Sequence, residues 1–129
     1  MCTIFFAQKN GLSRIGADTL SSLGPVRQRA DQVQNCSKIA RIDDTYIGLT
    51  GTSASLVVLR SYFAHAEHPR DFGSTDGFFE TFRHAHQSLK SDYHMAAQPS
   101  NGEEYETTQF YGLAANPHGI FGIYSYRAC

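Results

Sequence analysis

The chain of 129 residues is long enough to bury the core of one domain and too short for two such domains. Hydrophobic residues make up 41% of it and aromatic residues 12%, as in ordinary globular proteins, which argues against a disordered chain. The net charge of −1, from 11 basic and 12 acidic residues, provides no field that would attract nucleic acid or an anionic membrane.

The sequence shows no signal for export or membrane insertion. Its start lacks a basic stretch followed by a long apolar stretch, and no segment approaches the ~20 apolar residues that span a bilayer. We therefore expect a cytoplasmic protein. The three cysteines, Cys2, Cys36 and Cys129, form no C-x-x-C pair. Their odd number argues against a disulfide framework and a thiolate metal site, so we expect free thiols.

The first part of the chain is typical of β-hairpins. Residues 2–8 are rich in β-branched and aromatic side chains, Asn10-Gly11 is a hairpin turn signal, and residues 13–19 resume as a strand. Residues 27–35 are polar. Polar and apolar residues alternate over residues 38–42, which predicts a strand. A turn at Asp43-Asp44 connects it to a partner strand over residues 46–49.

The middle of the chain predicts two consecutive helices. From Ser53, apolar residues recur at helical spacing as far as the His68-Pro69 break, and a second helix begins at a cap within residues 74–76 and extends to about His94. The apolar set of the first helix comprises Leu56, Val57, Leu59, Tyr62 and Phe63, and the inward-facing set of the second comprises Phe78, Phe79, Phe82, His86 and Leu89.

The last part of the chain predicts two more strands. They cover residues 109–115 and 119–126 around a turn at residues 116–119, and they follow a polar, loop-like stretch over residues 98–106. The order is therefore strands, two helices, then strands. Consecutive helices favour an antiparallel pair on one face of a sheet, which is an α+β arrangement in a single domain.

Cys2 is the clearest candidate for a catalytic residue. If Met1 is removed, one residue carries both a nucleophilic sulfur and an α-amine whose pKa lies near ~7.7–8.0, so the amine can act as the base for its own thiol. The alternative is that this cysteine packs as a small hydrophobic side chain on a buried strand.

A catalytic thiol needs a nearby cation, a carboxylate that holds the cation, and backbone N–H donors for the oxyanion. The sequence offers Asp18 at the end of the second strand, Lys38 at the start of another, and the glycine-bearing turn that begins at Gly48. Each also has a structural explanation: a turn former, a solvated edge residue and a tight corner before a helix.

These residues together resemble proteasome β-subunits and their bacterial relatives, the HslV-type ring peptidases. Cys2-Thr3-Ile4 resembles the processed start of that family with Cys in place of the nucleophilic Thr. Asp18 in Gly16-Ala17-Asp18, Lys38 followed by Ile39, and the segment from Gly48 to Ala54 resemble the family's aspartate, lysine and glycine turn in order and spacing.

The resemblance implies a four-layer αββα sandwich of the N-terminal-nucleophile (Ntn) hydrolase class, with its C-terminal layer incomplete because the family's Gly-Ser-Gly segment has no match. It also implies a peptidase or amidase without a cofactor. Cys2 would be the nucleophile, Lys38 held by Asp18 would activate it, and the Gly48 N–H would bind the oxyanion. Ser22 and Gly48 would contact a peptide or protein substrate, and the chain would assemble into a ring or a dimer of rings, fed in some relatives by an ATP-dependent unfoldase.

Two other functions fit the same residues. With Met1 retained, the α-amine belongs to the wrong residue, so the chain would be a noncatalytic ring or assembly subunit. Other Ntn cysteine enzymes, the class II glutamine amidotransferases and the choloylglycine hydrolases, share the thiol-plus-amine start. They fit less well, because Thr3 stands where the amidotransferases usually have Gly, and the arginine-rich substrate loop of the choloylglycine group is not evident.

The six histidines suggest a metal site at first sight, but their spacing does not support one. His65 and His68 lie one helical turn apart, whereas His84 and His86 point to different faces of a helix. No H-E-x-x-H motif is present. We expect helix-face histidines and no metal.

Overall fold

The computed structural model describes residues 3–19, 21–23, 26–28, 37–51, 53–95, 110–124 and 127–128. The strands in these ranges are β1 (Ile4–Lys9), β2 (Leu12–Ala17), β3 (Ser21–Leu23), β4 (Val26–Gln28), β5 (Ile39–Ile42), β6 (Thr45–Gly51), β7 (Phe110–Asn116), β8 (Gly119–Tyr124) and β9 (Arg127–Ala128). The helices are α1 (Ser53–His65) and α2 (Thr75–Ser91), which lie between β6 and β7 in the sequence.

The centre of the molecule is a five-stranded antiparallel sheet in the order β5-β6-β7-β8-β9. Alternate residues of its strands point to one face, where the side chains of Ile47, Ala114 and Ile123 are almost completely buried. Both helices contribute to the core on this face. The ring of Phe78 lies 4.5 Å from that of Phe121, and the rings of Phe82 and Phe110 are 6.0 Å apart.

The second helix begins where the sequence predicts. The Ser74 side chain accepts a hydrogen bond of 3.0 Å from the Gly77 N–H, which satisfies one of the N–H groups that a helix start leaves free. At the other end, the Asp92 N–H donates to the Ser88 carbonyl, and His94 has a φ of 54° in the left-handed region. The helix therefore ends a few residues before the predicted His94.

The strands β1 and β2 form a hairpin on the opposite face of the sheet. Asn10 and Gly11 have φ values of 52° and 74°, which are the left-handed conformations that a two-residue type I′ turn requires. This turn pairs Ile4 with Ala17. The hairpin lies on the sheet at Gly48, where an added Cβ would be only 2.9 Å from the Ile4 Cγ2 atom.

The predicted four-layer αββα sandwich is wrong. In the described ranges the layers are the helix pair, the five-stranded sheet and the two-stranded hairpin, and no helix covers the outer side of the hairpin. The physical reason is that α1 and α2 are consecutive and pack against each other and on the same side of the sheet. A second pair of helices would have to come from outside the described residues.

One detail of the predicted second helix is also wrong. Phe79, which was predicted to face inward, is exposed, because it follows the inward-facing Phe78 and lies about 100° away from it around the helix. His86 is buried as predicted and stacks on Phe110, with ring centroids 5.3 Å apart. The antiparallel pair β3–β4 was not predicted as strands.

None of the described helices has the length and hydropathy of a membrane-spanning segment.

Candidate active site

Asp18 and Thr3 close the open end of the β1–β2 hairpin. The Asp18 N–H donates to the Thr3 carbonyl at 3.0 Å, and the Thr3 N–H donates to the Asp18 Oδ1 atom at 3.1 Å. The pairing follows from the Asn10-Gly11 turn, which fixes the register along the hairpin and places residue 3 opposite residue 18. The aspartate therefore holds the peptide N–H that directly follows Cys2.

Lys38 reaches the same carboxylate from the other sheet. Its Nζ atom lies 2.5 Å from the Asp18 Oδ1 atom, so one oxygen accepts from both Lys38 and Thr3. The Lys38 side chain is 11% exposed and the Asp18 side chain 32% exposed. A cation and a carboxylate that are separated by 20 residues in the sequence thus form a partly buried pair beside the start of β1.

The backbone around Lys38 is fixed by neighbours on both sides. The Leu49 N–H donates to the Lys38 carbonyl at 3.1 Å, and the Arg60 guanidinium of α1 donates to the Ile39 carbonyl at 3.0 Å. These bonds anchor the first residues of β5 to β6 and to α1. The backbone from which the Lys38 side chain extends is therefore held by β6 and α1.

Hydrogen bonding lowers the pKa of Asp18 below its ordinary value of 3.8. The largest cause is the hydrogen bond from Lys38, followed by the bond from the Thr3 N–H, both of which favour the ionised carboxylate. Partial burial acts in the opposite direction but is smaller. Asp18 is therefore ionised at neutral pH and attracts the ammonium of Lys38.

The direction of the Gly48 N–H does not fit the predicted oxyanion donor. N–H groups alternate in direction along a strand, and the Leu49 N–H points towards β5, where it bonds to Lys38. The Gly48 N–H must then point towards β7, where Gly48 pairs with Leu113. It lies within the sheet ladder on the side away from Lys38.

Gly51 is the glycine of this turn that sequence reasoning missed. By the same alternation its N–H points to the Lys38 side of β6. The residue pairs of β5 with β6 involve residues 45–48 of β6, so Gly51 lies beyond them. Its φ of 143° lies in the region that favours glycine. The signal in the sequence was the odd spacing of three residues between Gly48 and Gly51, which directs their N–H groups to opposite sides.

Two of the predicted site residues fall outside what the structure describes. Cys2 lies outside the described residues, and of Ser22 only the backbone is described, as part of β3 opposite Arg27. The structure thus brings together Asp18 and Lys38 and places Gly48 in the adjoining strand, beneath the hairpin.

The histidines form no metal site among the described residues. No group of three or more His, Cys, Asp or Glu side chains there could hold an ion. His68 and His84 stack with ring centroids 4.7 Å apart and planes at 14°, a geometry in which the in-plane lone pairs of the two rings cannot converge on one metal.

The chain is similar to Thiobacillus denitrificans BPH. The structure of that protein in complex with epoxomicin matches with a TM-score of 0.85 and 31% sequence identity, covering 100% of this chain and 67% of that chain. A second structure of Thiobacillus denitrificans BPH matches with a TM-score of 0.84 at the same identity and coverage. No family model and no curated protein matches the chain. The identity and coverage show that this chain belongs to the family of Thiobacillus denitrificans BPH.

Proposed function

We propose that the chain is a proteasome-like Ntn peptidase or amidase, in which Cys2 becomes the N-terminal nucleophile after removal of Met1. The observation that carries the proposal is the shared Asp18 oxygen, which accepts from both the Lys38 ammonium and the Thr3 N–H. An ion pair with a purely structural role would not need a hydrogen bond to the peptide N–H that follows Cys2. Here the Asp18 carboxylate binds both that N–H and the Lys38 ammonium.

The proposal requires Cys2 to act beside this pair. Cys2 directly precedes Thr3, whose N–H bonds to Asp18. In the proposed active form, the thiol and the α-amine of Cys2 lie next to the Lys38 ammonium. A cation at this range lowers the pKa of a thiol and increases the fraction of reactive thiolate.

The proposed reaction uses this arrangement in two steps. The Cys2 sulfur attacks the substrate carbonyl while its proton passes, directly or through water, to the Cys2 α-amine and then to the departing amine. Loss of that amine leaves an acyl-enzyme thioester. Water then attacks the thioester, which releases the carboxylic acid and restores the thiol.

The oxyanion donor in this proposal is the Gly51 N–H, in place of Gly48. A donor must point to where negative charge develops, and the alternation along β6 turns the Gly51 N–H to the side of Lys38. Gly48 has a different role, since its lack of a side chain allows the close approach of Ile4 that sets the hairpin on the sheet.

The relative in the same family supports an accessible site. Thiobacillus denitrificans BPH forms a complex with epoxomicin. We extend this binding to the present chain as part of the proposal. Ring assembly and an ATP-dependent unfoldase are also parts of it, and they follow from the resemblance alone. The cytoplasmic location in this proposal follows from the absence of an export signal in the sequence.

The first experiment is intact-mass analysis of the purified protein, followed by labelling with a thiol-directed peptide electrophile. We expect loss of Met1 and modification at Cys2, located by peptide mapping so that Cys36 and Cys129 are distinguished. Lys38→Ala should slow the labelling of Cys2 by at least about tenfold. A rise of one unit in the pKa of the thiol lowers the fraction of reactive thiolate about tenfold at a pH below that pKa.

Lys90→Ala is the matched control, because it removes the same charge from the exposed last turn of α2. It should leave the labelling rate unchanged. Retention of Met1 would instead favour the noncatalytic ring or assembly subunit. Labelling followed by transfer of the acyl group to an added amine, in preference to water, would favour an amidotransferase-type Ntn enzyme.

A further inference from the structure

Lys38 stands at the start of a strand that has a neighbour on one side only. It directly precedes β5, which in the described ranges is the first strand of the five-stranded sheet and pairs with β6. The end of such a strand opens more readily than the middle of a sheet, because fewer hydrogen bonds hold it. The contact of Lys38 with Asp18 therefore depends on what fixes the first residues of β5.

Side chains take the place of a neighbouring strand at this point. The Leu49 N–H bonds to the Lys38 carbonyl from β6, so the alternation turns the Ile39 N–H and carbonyl to the open side of β5. There the Ile39 N–H donates to the Ser37 hydroxyl oxygen at 3.3 Å, and the Ser37 hydroxyl donates to the Ile39 carbonyl at 3.0 Å. The Arg60 Nη2 atom donates to the same carbonyl at 3.0 Å. Two side chains thus satisfy the open backbone groups beside the lysine.

Of these two side chains, Arg60 is the one that comes from another element. Ser37 lies two residues before Ile39, whereas Arg60 lies on α1, 21 residues further along the chain. The helix is fixed on the core by the buried side chains of Leu59 and Phe63. Among the described side chains, no carboxylate forms an ion pair with Arg60. Its guanidinium therefore ties the open side of β5 to a packed helix.

We propose that Arg60 is a positioning residue of the candidate active site. Through the Ile39 carbonyl, its guanidinium holds the start of β5 and thereby keeps the Lys38 ammonium on the Asp18 carboxylate. Arg60 acts through Lys38 and is not itself a catalytic residue. The consequence for Cys2 rests on the proposed function, whereas the effect on the contact between Lys38 and Asp18 does not.

The first readout is the pKa of the Asp18 carboxyl, followed by NMR titration of the full chain. The hydrogen bond from Lys38 is the largest cause that lowers this pKa, so withdrawal of Lys38 raises it. We expect Arg60→Ala to move the pKa of Asp18 towards its ordinary value of 3.8. The titration is carried out at about 1 M salt, where the Debye length is about 3 Å, so that loss of an exposed charge has little direct effect.

Arg41→Ala is the matched control. Arg41 is an exposed arginine of β5 itself, and its Nε atom donates to the backbone carbonyl of Asp43 at 3.0 Å. The variant removes the same charge and the same kind of bond from the far end of the strand, so it should leave the pKa of Asp18 unchanged. Arg60→Lys keeps the charge and a donor, and it should restore much of the lowered pKa.

Amide hydrogen exchange reports on the start of β5 directly. Arg60→Ala should speed exchange of the Leu49 N–H, which bonds to the Lys38 carbonyl, by at least about threefold. Exchange at Ile47, which pairs with Ala40 further along the strands, should change much less.

The third readout is the alkylation of Cys2 in protein that lacks Met1. Arg60→Ala should slow this reaction by about two- to fivefold, the range that one exposed charged contact supports. The loss is smaller than for Lys38→Ala, because the ammonium is displaced and not removed. Arg41→Ala should leave the rate unchanged.

Three results would overturn the proposal. One is a pKa of Asp18 that Arg60→Ala leaves unchanged, and another is an unchanged exchange rate at Leu49. The third is a shift of equal size in Arg41→Ala, which would mean that lost charge and not a lost contact is responsible. If the Asp18 pKa and the Leu49 exchange change as expected but Cys2 is not activated in the parent protein, the positioning role stands and the proposed function fails. Circular dichroism of the variants checks that the fold is retained.

Discussion

The two faces of the five-stranded sheet differ in what covers them. The helix side is sealed by α1 and α2, and its aromatic rings, such as Phe78, Phe82 and Phe110, are almost completely buried. The hairpin side is covered only in part, and it carries the Asp18–Lys38 pair as well as exposed tyrosines. One face thus holds most of the buried core, whereas the other holds a partly buried ion pair and exposed aromatic side chains.

The comparison is tested most strongly by removing one aromatic ring from each face. Phe82→Ala should lower the free energy of unfolding by about 3–5 kcal/mol, because it leaves a cavity among buried rings. Tyr124→Ala should cost less than ~1 kcal/mol, since its ring is half exposed and its main ring contact is Tyr111. Urea denaturation measures both values, and equal costs would contradict the difference between the faces.

A smaller effect is expected where the hairpin meets the sheet. Gly48→Ala places a Cβ 2.9 Å from the Ile4 Cγ2 atom and 3.4 Å from the Ile15 Cδ1 atom, so we expect a loss of about 1–3 kcal/mol. The double variant with Ile4→Ala should lose less than the two single variants together, because the truncated side chain no longer meets the new methyl group. Strict additivity in the double-mutant cycle would show that the hairpin does not rest on Gly48.

The smallest effect concerns the pH dependence of the Asp18 contact. Because the pKa of Asp18 is lowered in the folded state, its contribution to stability is complete above its ordinary value of 3.8 and is lost as the pH falls through the lowered pKa. Asp18→Asn should remove this part of the pH dependence, while its side-chain oxygen can still accept from the Thr3 N–H. NMR titration of the Asp18 carboxyl below pH 3.8 measures the shift, and an ordinary pKa would contradict the contact.

Local sequence signals predicted the parts of the fold that local chemistry determines. The Asn10-Gly11 turn indicated the hairpin, and its two-residue length is sufficient to place Thr3 opposite Asp18. Ser74 indicated the start of α2. The proximity of Asp18 to Lys38 was expected from the needs of a catalytic thiol and from the family resemblance, because the two residues adjoin different sheets and no local rule relates them.

The incorrect predictions concern features that tertiary packing determines. Helical spacing shows which side of α2 is apolar but does not decide between neighbours, so Phe79 was placed inside beside Phe78. The number of layers was wrong because it was taken from the resemblance, and the two helices in the described ranges serve one face only. The assignment of the oxyanion donor to Gly48 came from the resemblance, which does not set N–H direction, whereas the strand register turns the Gly48 N–H towards β7.

The most direct test of the proposed site is the pH dependence of Cys2 alkylation in protein that lacks Met1. The account predicts an apparent pKa for the Cys2 thiol below the ordinary ~8.5, because the Lys38 ammonium held by Asp18 favours the thiolate. Lys38→Ala should raise this pKa, and Lys90→Ala should not change it. An apparent pKa near ~8.5 that is the same in all three proteins would contradict the assignment of Cys2 as an activated nucleophile.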